Sequence, residues 1–264
     1  MDRQEVIGFP IKGREDKPRQ QGLTMVIDKG LGLGGTKDLL EVAGEYIDMI
    51  KLGFGTSVLY PHALLEEKIS LIKSYGVDVY PGGTLLEIAI LQDNLREYLK
   101  KAVSLGYTAI EISDGTINIA SKVRAEAISM AKEMDLKVLT EVGKKYLQDK
   151  GQVGHYINQI HGDLRHGAFK VIIEGRESGK NAGFYDKNGH FIDSEMEQML
   201  AAVDDPRALI WEAPLKQQQQ DLIIRFGPNV NLGNIPAGEA LALETLRTGL
   251  RGDTLRWVYR NTIK

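Results

Sequence analysis

The feature that most restricts how this chain can fold is a recurrence. Eight times, a short apolar run rich in Val, Ile and Leu passes a turn, usually into helical periodicity, and seven of the eight close on or beside a charged or amide residue. The runs are Thr24–Asp28, Tyr46–Leu52, Val77–Tyr80, Ala109–Ser113, Val138–Thr140 leading into Glu141, Phe169–Ile173, Ala208–Trp211 leading into Glu212, and Val230–Leu232. Runs of this length between turn signals read as strands buried on both faces, the setting of a parallel sheet. The segments between them carry helical spacing. Thr36 is the expected N-cap of a helix with Leu39, Leu40, Ala43 and Tyr46 on one face. Pro61 opens another with Leu64, Leu65, Ile69 and Ile72 inward, and a third is expected from Pro236 to Leu246. Eight such units without a break in composition predict the α/β class and a single (β/α)8 TIM-type barrel over residues 22–264, preceded by a polar N-terminal arm, 1–21. A doubly wound sheet is the alternative, but it rarely needs eight units of this regularity.

Composition narrows the function. A chain of 264 residues matches the roughly 250 that a barrel needs. A net charge of −3 gives no electrostatic case for nucleic acid or an anionic membrane. With no cysteine, disulfides, thiolate metal sites and cysteine nucleophiles are excluded. No apolar run reaches membrane-spanning length, so the expectation is a soluble, cytoplasmic protein acting on small molecules.

In a barrel, chemistry collects where the strands end. Asp28, Lys51, Glu111, Asp114, Glu141, Lys145, Glu174, Arg176, Glu212 and Asn231 are all expected at that rim. So many carboxylates together call for cations, and an oxygen-rich set without paired histidines points to Mg2+. In Glu141-Val-Gly-Lys-Lys145, a carboxylate and two ammonium groups follow a strand, a layout in which a lysine can act as acid or base. Glu174-Gly-Arg-Glu-Ser-Gly-Lys180 fails the P-loop spacing but offers amides, Arg176 and Lys180 to an anion; Asn231, Gly233 and Asn234 compete for that role.

Other features carry less. Gly30-Leu-Gly-Leu-Gly-Gly35 matches G-x-G-x-x-G, yet Lys51 stands where the ribose-binding acid would be, so the glycines read as a flexible rim loop. His155, His161 and His166 have no metal-ligand spacing, and Met25, Met49, Met130 and Met134 read as core fillers. Residues 146–167 and 181–190 read as insertions on the loop side, and Gln217–Gln220 as an exposed helix face.

Taken together, Asp28-Lys-Gly30, Ile50-Lys-Leu-Gly-Phe-Gly-Thr-Ser57, Tyr80-Pro-Gly-Gly-Thr84, Glu111-Ile-Ser-Asp-Gly115, Leu139-Thr-Glu-Val-Gly-Lys-Lys145, Val171-Ile-Ile-Glu-Gly-Arg-Glu-Ser-Gly-Lys180, Asn231-Leu-Gly-Asn234 and Leu250-Arg-Gly-Asp253 resemble the phosphosulfolactate synthase family of coenzyme M biosynthesis. The resemblance implies a Mg2+-dependent lyase that adds sulfite to phosphoenolpyruvate, giving (2R)-phospho-3-sulfolactate through an enolate-like intermediate protonated by a lysine. It implies Lys145, with Lys144 second, as the acid; Glu111, Glu141 and Glu174 as metal ligands; and Lys51, Arg176 and Lys180 at phosphate or sulfite. It also implies a homo-oligomer, with a trimer as the form it suggests. A Schiff-base aldolase-like barrel using Lys51 or Lys145, and a non-catalytic anion-binding barrel, are the alternatives.

Overall fold

The computed structural model describes residues 7–144, 153–181 and 184–262. Its centre is a sheet of eight parallel strands: β1 Thr24–Asp28, β2 Met49–Leu52, β3 Asp78–Pro81, β4 Ala109–Ile112, β5 Lys137–Val142, β6 Lys170–Ile173, β7 Leu209–Glu212 and β8 Leu232–Pro236. They run in the spatial order β3-β2-β1-β8-β7-β6-β5-β4. The seam between the end strands is joined by the Thr108 N–H donating to the Val79 carbonyl (3.1 Å) and the Val79 N–H donating to Thr108 Oγ1 (2.9 Å). The result is a nearly closed (β/α)8 barrel. Outside it pack α1 Leu33–Ala43, α2 His62–Ser74, α3 Thr84–Leu91, α4 Leu95–Leu105, α5 Ser121–Glu133, α6 Val153–His166, α7 Asp193–Ala202, α8 Lys216–Phe226, α9 Ala240–Arg247 and α10 Gly252–Thr262. Among the described residues no helix is long and apolar enough to cross a membrane.

The two-residue period of a strand divides each apolar run between two cores. Val26, Ile50, Val79, Ile110, Val138, Val171, Leu209 and Leu232 face the helices. Met25, Met49, Tyr80, Ala109, Leu139, Ile172 and Ile210 fill the barrel interior. Two residues further along five of these strands, the inward position falls on Lys51, Glu111, Glu141, Glu174 and Glu212. The hydrophobic filling therefore ends where the charged layer begins.

Several local expectations change. β8 begins at Leu232 rather than ending there. Its sequence Leu-Gly-Asn-Ile-Pro hides it, because the inward position is Gly233: a Cβ there would lie 2.7 Å from Met25 Cε. Helix α1 starts at Leu33 after an N-cap at Gly32, and Thr36 is buried inside it rather than capping it. Most of 146–167 is the regular crossover helix α6, not an insertion. Gln218 and Gln219 are buried rather than solvated: Gln218 Nε2 donates to the Gly179 and Gly189 carbonyls and Gln219 Nε2 to that of Ala213.

The described part of the polar leader is pinned across the N-terminal end of the barrel. Arg14 pairs with Glu244 at 3.0 Å and Arg19 with Asp48 at 3.0 Å. Nearby, Arg247 is fully buried and donates to the carbonyls of Pro228 (2.6 Å), Val230 (2.7 Å) and Leu23 (3.3 Å).

Candidate active site

At the C-terminal mouth lies a cavity of about 310 Å³, lined among others by Lys51, Glu111, Glu141, Glu174, Arg176 and Glu212. Lys51 Nζ stands 2.9 Å from Glu111 Oε2, 3.3 Å from Glu212 Oε1 and 3.6 Å from Glu141 Oε2. Burial alone would lower the pKa of this amine. Glu111, Glu212 and Glu141 outweigh burial and hold the ammonium well above its ordinary range. Glu111 moves the other way: burial, with Glu141 and Glu212 nearby, lifts it to about 7 despite Lys51.

Backbone amides fix these carboxylates. Glu111 Oε1 accepts the Gly83 N–H (2.8 Å), Glu212 Oε2 the Gly175 N–H (2.9 Å), and Glu174 Oε1 the Arg176 N–H (2.6 Å). The turn after β5 brings Gly143, at φ +118°, so close that a Cβ would lie 2.7 Å from Glu174 Cβ. Beneath α3, Glu87 accepts the Ser113 hydroxyl (2.7 Å) and the Thr116 and Ile117 N–H groups, which fixes the loop that carries Thr116 into the cavity.

Glu141, Glu174 and Glu212 each place one carboxylate oxygen within 4.8 Å of the others. All three are buried, and the buried Oδ1 of cavity-lining Asn234 has no hydrogen-bond partner among the described residues. Crowded anionic oxygens beside an unpartnered amide oxygen fit a hard divalent cation. The converging triad holds Glu212 where Glu111 was expected; Lys51 contacts Glu111, Glu212 and Glu141 alike.

The other expected residues separate. Asn231 is not at the rim but at the opposite end of the barrel. It precedes β8; its Oδ1 accepts the Leu23 N–H (3.0 Å) and its Nδ2 donates to the Arg207 and Leu209 carbonyls, so it ties β1 to β7. The misplaced strand is the cause, and Asn234 is the residue β8 delivers to the mouth. Asp28, one position past inward Ile27, points outward to the buried ammonium of Lys68. Its Oδ1 accepts the Gly30 and Leu31 N–H groups (both 2.8 Å), so the glycine-rich loop is anchored at its start. Lys180 is exposed and does not line the cavity. Lys144 Nζ is bound to Asp114 and to the Ile117 carbonyl. Lys145 lies outside the described residues. Gly82 and Thr84 lie in the quoted Tyr80–Thr84 motif but carry no expected role, and Thr116 is not singled out by the sequence.

Fold and site together define a (β/α)8-barrel protein with an oxygen-donor cluster and a captive lysine at its mouth. Solved barrels share the fold: 3-hexulose-6-phosphate synthase from Salmonella typhimurium aligns with a TM-score of 0.56 and 14% identity over 85% of this chain and 97% of that one. A phosphonopyruvate hydrolase complexed with oxalate and Mg2+ aligns with a TM-score of 0.54 and 14% identity, over 91% of this chain and 83% of that one. Sequence is more specific. The family model described as ComA, (2R)-phospho-3-sulfolactate synthase, matches residues 12–253. Phosphosulfolactate synthases are 47% identical in Methanocaldococcus jannaschii (89% of this chain, 94% of the relative) and 45% identical in Methanothermobacter thermautotrophicus (92% and 94%). That of Bacillus subtilis is 40% identical, over 91% and 95%. The chain belongs to the phosphosulfolactate synthase family.

Proposed function

We propose that this enzyme is a C–S bond-forming lyase that adds sulfite to phosphoenolpyruvate with Mg2+ bound, giving (2R)-phospho-3-sulfolactate. The observation that carries the reading is the buried triad Glu141, Glu174 and Glu212 beside Lys51. Both substrates are multiply anionic, and a mouth lined by carboxylates repels them unless a cation intervenes. Mg2+ held by the triad would supply positive charge where enolate-like charge develops on the substrate carboxylate.

The sulfur lone pair forms the C–S bond at the methylene carbon. The π pair of the double bond moves to the adjacent carbon and is delocalised into the carboxylate, and a proton from a lysine then completes that carbon. The phosphate ester stays intact. Lys51 is a poor donor, because three carboxylates retain its proton; it serves as a fixed positive charge. Lys145 is assigned as the acid, and Arg176, a residue of the cavity lining, as the phosphate or sulfite ligand. The same bound ammonium disfavours a Schiff base at Lys51, which requires a neutral amine. Cysteine-free composition supports a cytoplasmic location. The exposed apolar Val58, Leu59 and Leu91 support self-association.

Phosphorus NMR of the protein with phosphoenolpyruvate, sulfite and Mg2+ tests the reading. A new phosphate ester signal that needs sulfite and disappears with EDTA is the expected result; no new ester under either condition overturns it. Full turnover by Lys145→Ala would remove the acid assignment alone.

A further inference from the structure

We propose that Arg124, on α5 and outside the cavity lining, is a positioning residue for this reaction: it sets the end of β5 that carries Glu141 and leads into Lys144. The proposal deepens the functional reading above and rests on it. Arg124 is 3% exposed. Its Nε and Nη2 donate to Asp163 on α6 at 2.8 and 2.7 Å, the two-pronged geometry that fixes a guanidinium plane. Held so, Nη2 also donates to the main-chain carbonyl of Glu141 at 3.0 Å, and Nη1 to Asp114 Oδ1 at 3.3 Å.

Asp114 passes the constraint on. Its Oδ1 also accepts from Gln159 Nε2 at 3.2 Å, and its Oδ2 and main-chain carbonyl take the Lys144 ammonium, which also donates to the Ile117 carbonyl at 3.3 Å. One guanidinium thus ties together α6, the loop after β4 and the last residues of β5. The tie acts on direction. Glu141 holds its carbonyl to Arg124 while its side chain enters the cavity beside Lys51, and the left-handed turn at Gly143 follows two residues later. The next residue, Lys144, is fastened to Asp114, so the chain leaves β5 from a fixed point.

A purely stabilising role would be easy to replace, because buried ion networks exchanged for apolar packing of similar volume are often neutral in stability. No apolar side chain can donate to the Glu141 carbonyl and to Asp114 at once. Lysine cannot reproduce the fork either.

The test uses the full chain with Arg124→Ala, Arg124→Lys and Asp114→Asn. It reads kcat and KM for both substrates and the affinity for Mn2+ by electron paramagnetic resonance without substrate. Residues that orient metal-site groups typically change affinity or rate by about 10- to 100-fold. Arg124→Ala is expected to lower kcat within that range, with KM for phosphoenolpyruvate within about threefold, and to weaken Mn2+ binding about tenfold. Added guanidinium ion should restore part of its kcat and leave the unmutated enzyme unchanged. Asp114→Asn should lower kcat while Mn2+ affinity is kept, because it releases Lys144 and not Glu141. If Arg124→Ala fails to fold, Arg124→Lys and Asp114→Asn carry the same comparison. A folded Arg124 variant with unchanged kcat and unchanged Mn2+ affinity, whatever its melting temperature, overturns the proposal. Should the unmutated enzyme form no product from sulfite and phosphoenolpyruvate, the functional reading fails, and the Mn2+ affinities still decide whether Arg124 positions Glu141.

Discussion

Replacing Glu111 by glutamine isolates the energetic cost of the charged mouth. Glu111 is buried; one carboxylate oxygen accepts the Gly83 N–H and the other lies 2.9 Å from Lys51. Burial first, and then Glu141 and Glu212, raise its pKa from 4.5 to about 7. A carboxyl raised on folding favours the folded state in its protonated form. Its contribution is complete below pH 4.5, declines as pH rises, and is gone once pH passes about 7. At 1.36 kcal/mol per pH unit, that interval is worth roughly 3 kcal/mol. Glutamine keeps the shape and the acceptor for Gly83, leaves Lys51 to Glu212 and Glu141, and cannot ionise. In EDTA at pH 8, Glu111→Gln should therefore be more stable than the parent by up to about 3 kcal/mol, and the advantage should vanish near pH 4. Urea unfolding followed by tryptophan fluorescence at a series of pH values measures it; subtracting the two curves removes most groups that titrate alike in both proteins. A difference that does not change with pH, or a less stable variant at pH 8, would refute the reasoning.

Three further outcomes follow from the geometry. Glu212→Gln should weaken Mn2+ or Mg2+ binding at least about tenfold by calorimetry, because it removes one of three converging carboxylates; unchanged affinity would place the cation elsewhere. In Gly143→Ala, the new Cβ would meet Glu174 and the backbone would be held at φ +118°, so a loss of about 1–3 kcal/mol in stability is expected, together with weaker Mn2+ binding. Arg247→Ala would leave three carbonyls at the closed end without their donor and should lower unfolding free energy by about 3 kcal/mol, while kcat per folded molecule is retained.

The barrel was legible because seven of its eight strands announce themselves as apolar runs. The eighth is the exception that explains its own error. A strand whose inward residue must be glycine, and which ends in proline, carries no apolar signature, so the expected strand slid toward the preceding Val230 and carried Asn231 to the wrong end. Gln218 and Gln219 were misread for a related reason: amide side chains look like surface until the loop carbonyls that need them are placed. The chemistry of the mouth was legible as a set of residue types. Which carboxylates converge depends on strand stagger around the barrel, and that quantity has no trace in a single strand's sequence. It sets Glu111 apart from the Glu141–Glu174–Glu212 cluster, although Lys51 contacts Glu111, Glu212 and Glu141 alike.

Register parity nevertheless sorts the rim residues correctly once one inward residue per strand is known. Met49 facing inward requires Lys51 to do so, Ala109 requires Glu111, and Ile172 requires Glu174. Ile27 facing inward sends Asp28 out to Lys68. Two lysine–carboxylate contacts that look equivalent in the sequence therefore do opposite work. Asp28 and Lys68 neutralise each other under a loop, where no substrate reaches. Lys51 faces Glu111, Glu212 and Glu141 at once, at the wall of an open cavity that Glu174 also lines. Under the proposed function, this crowding of carboxylates would make the mouth a receiver of a cation and, through it, of anionic substrates. A balanced set of ion pairs in the same place would only have closed the barrel.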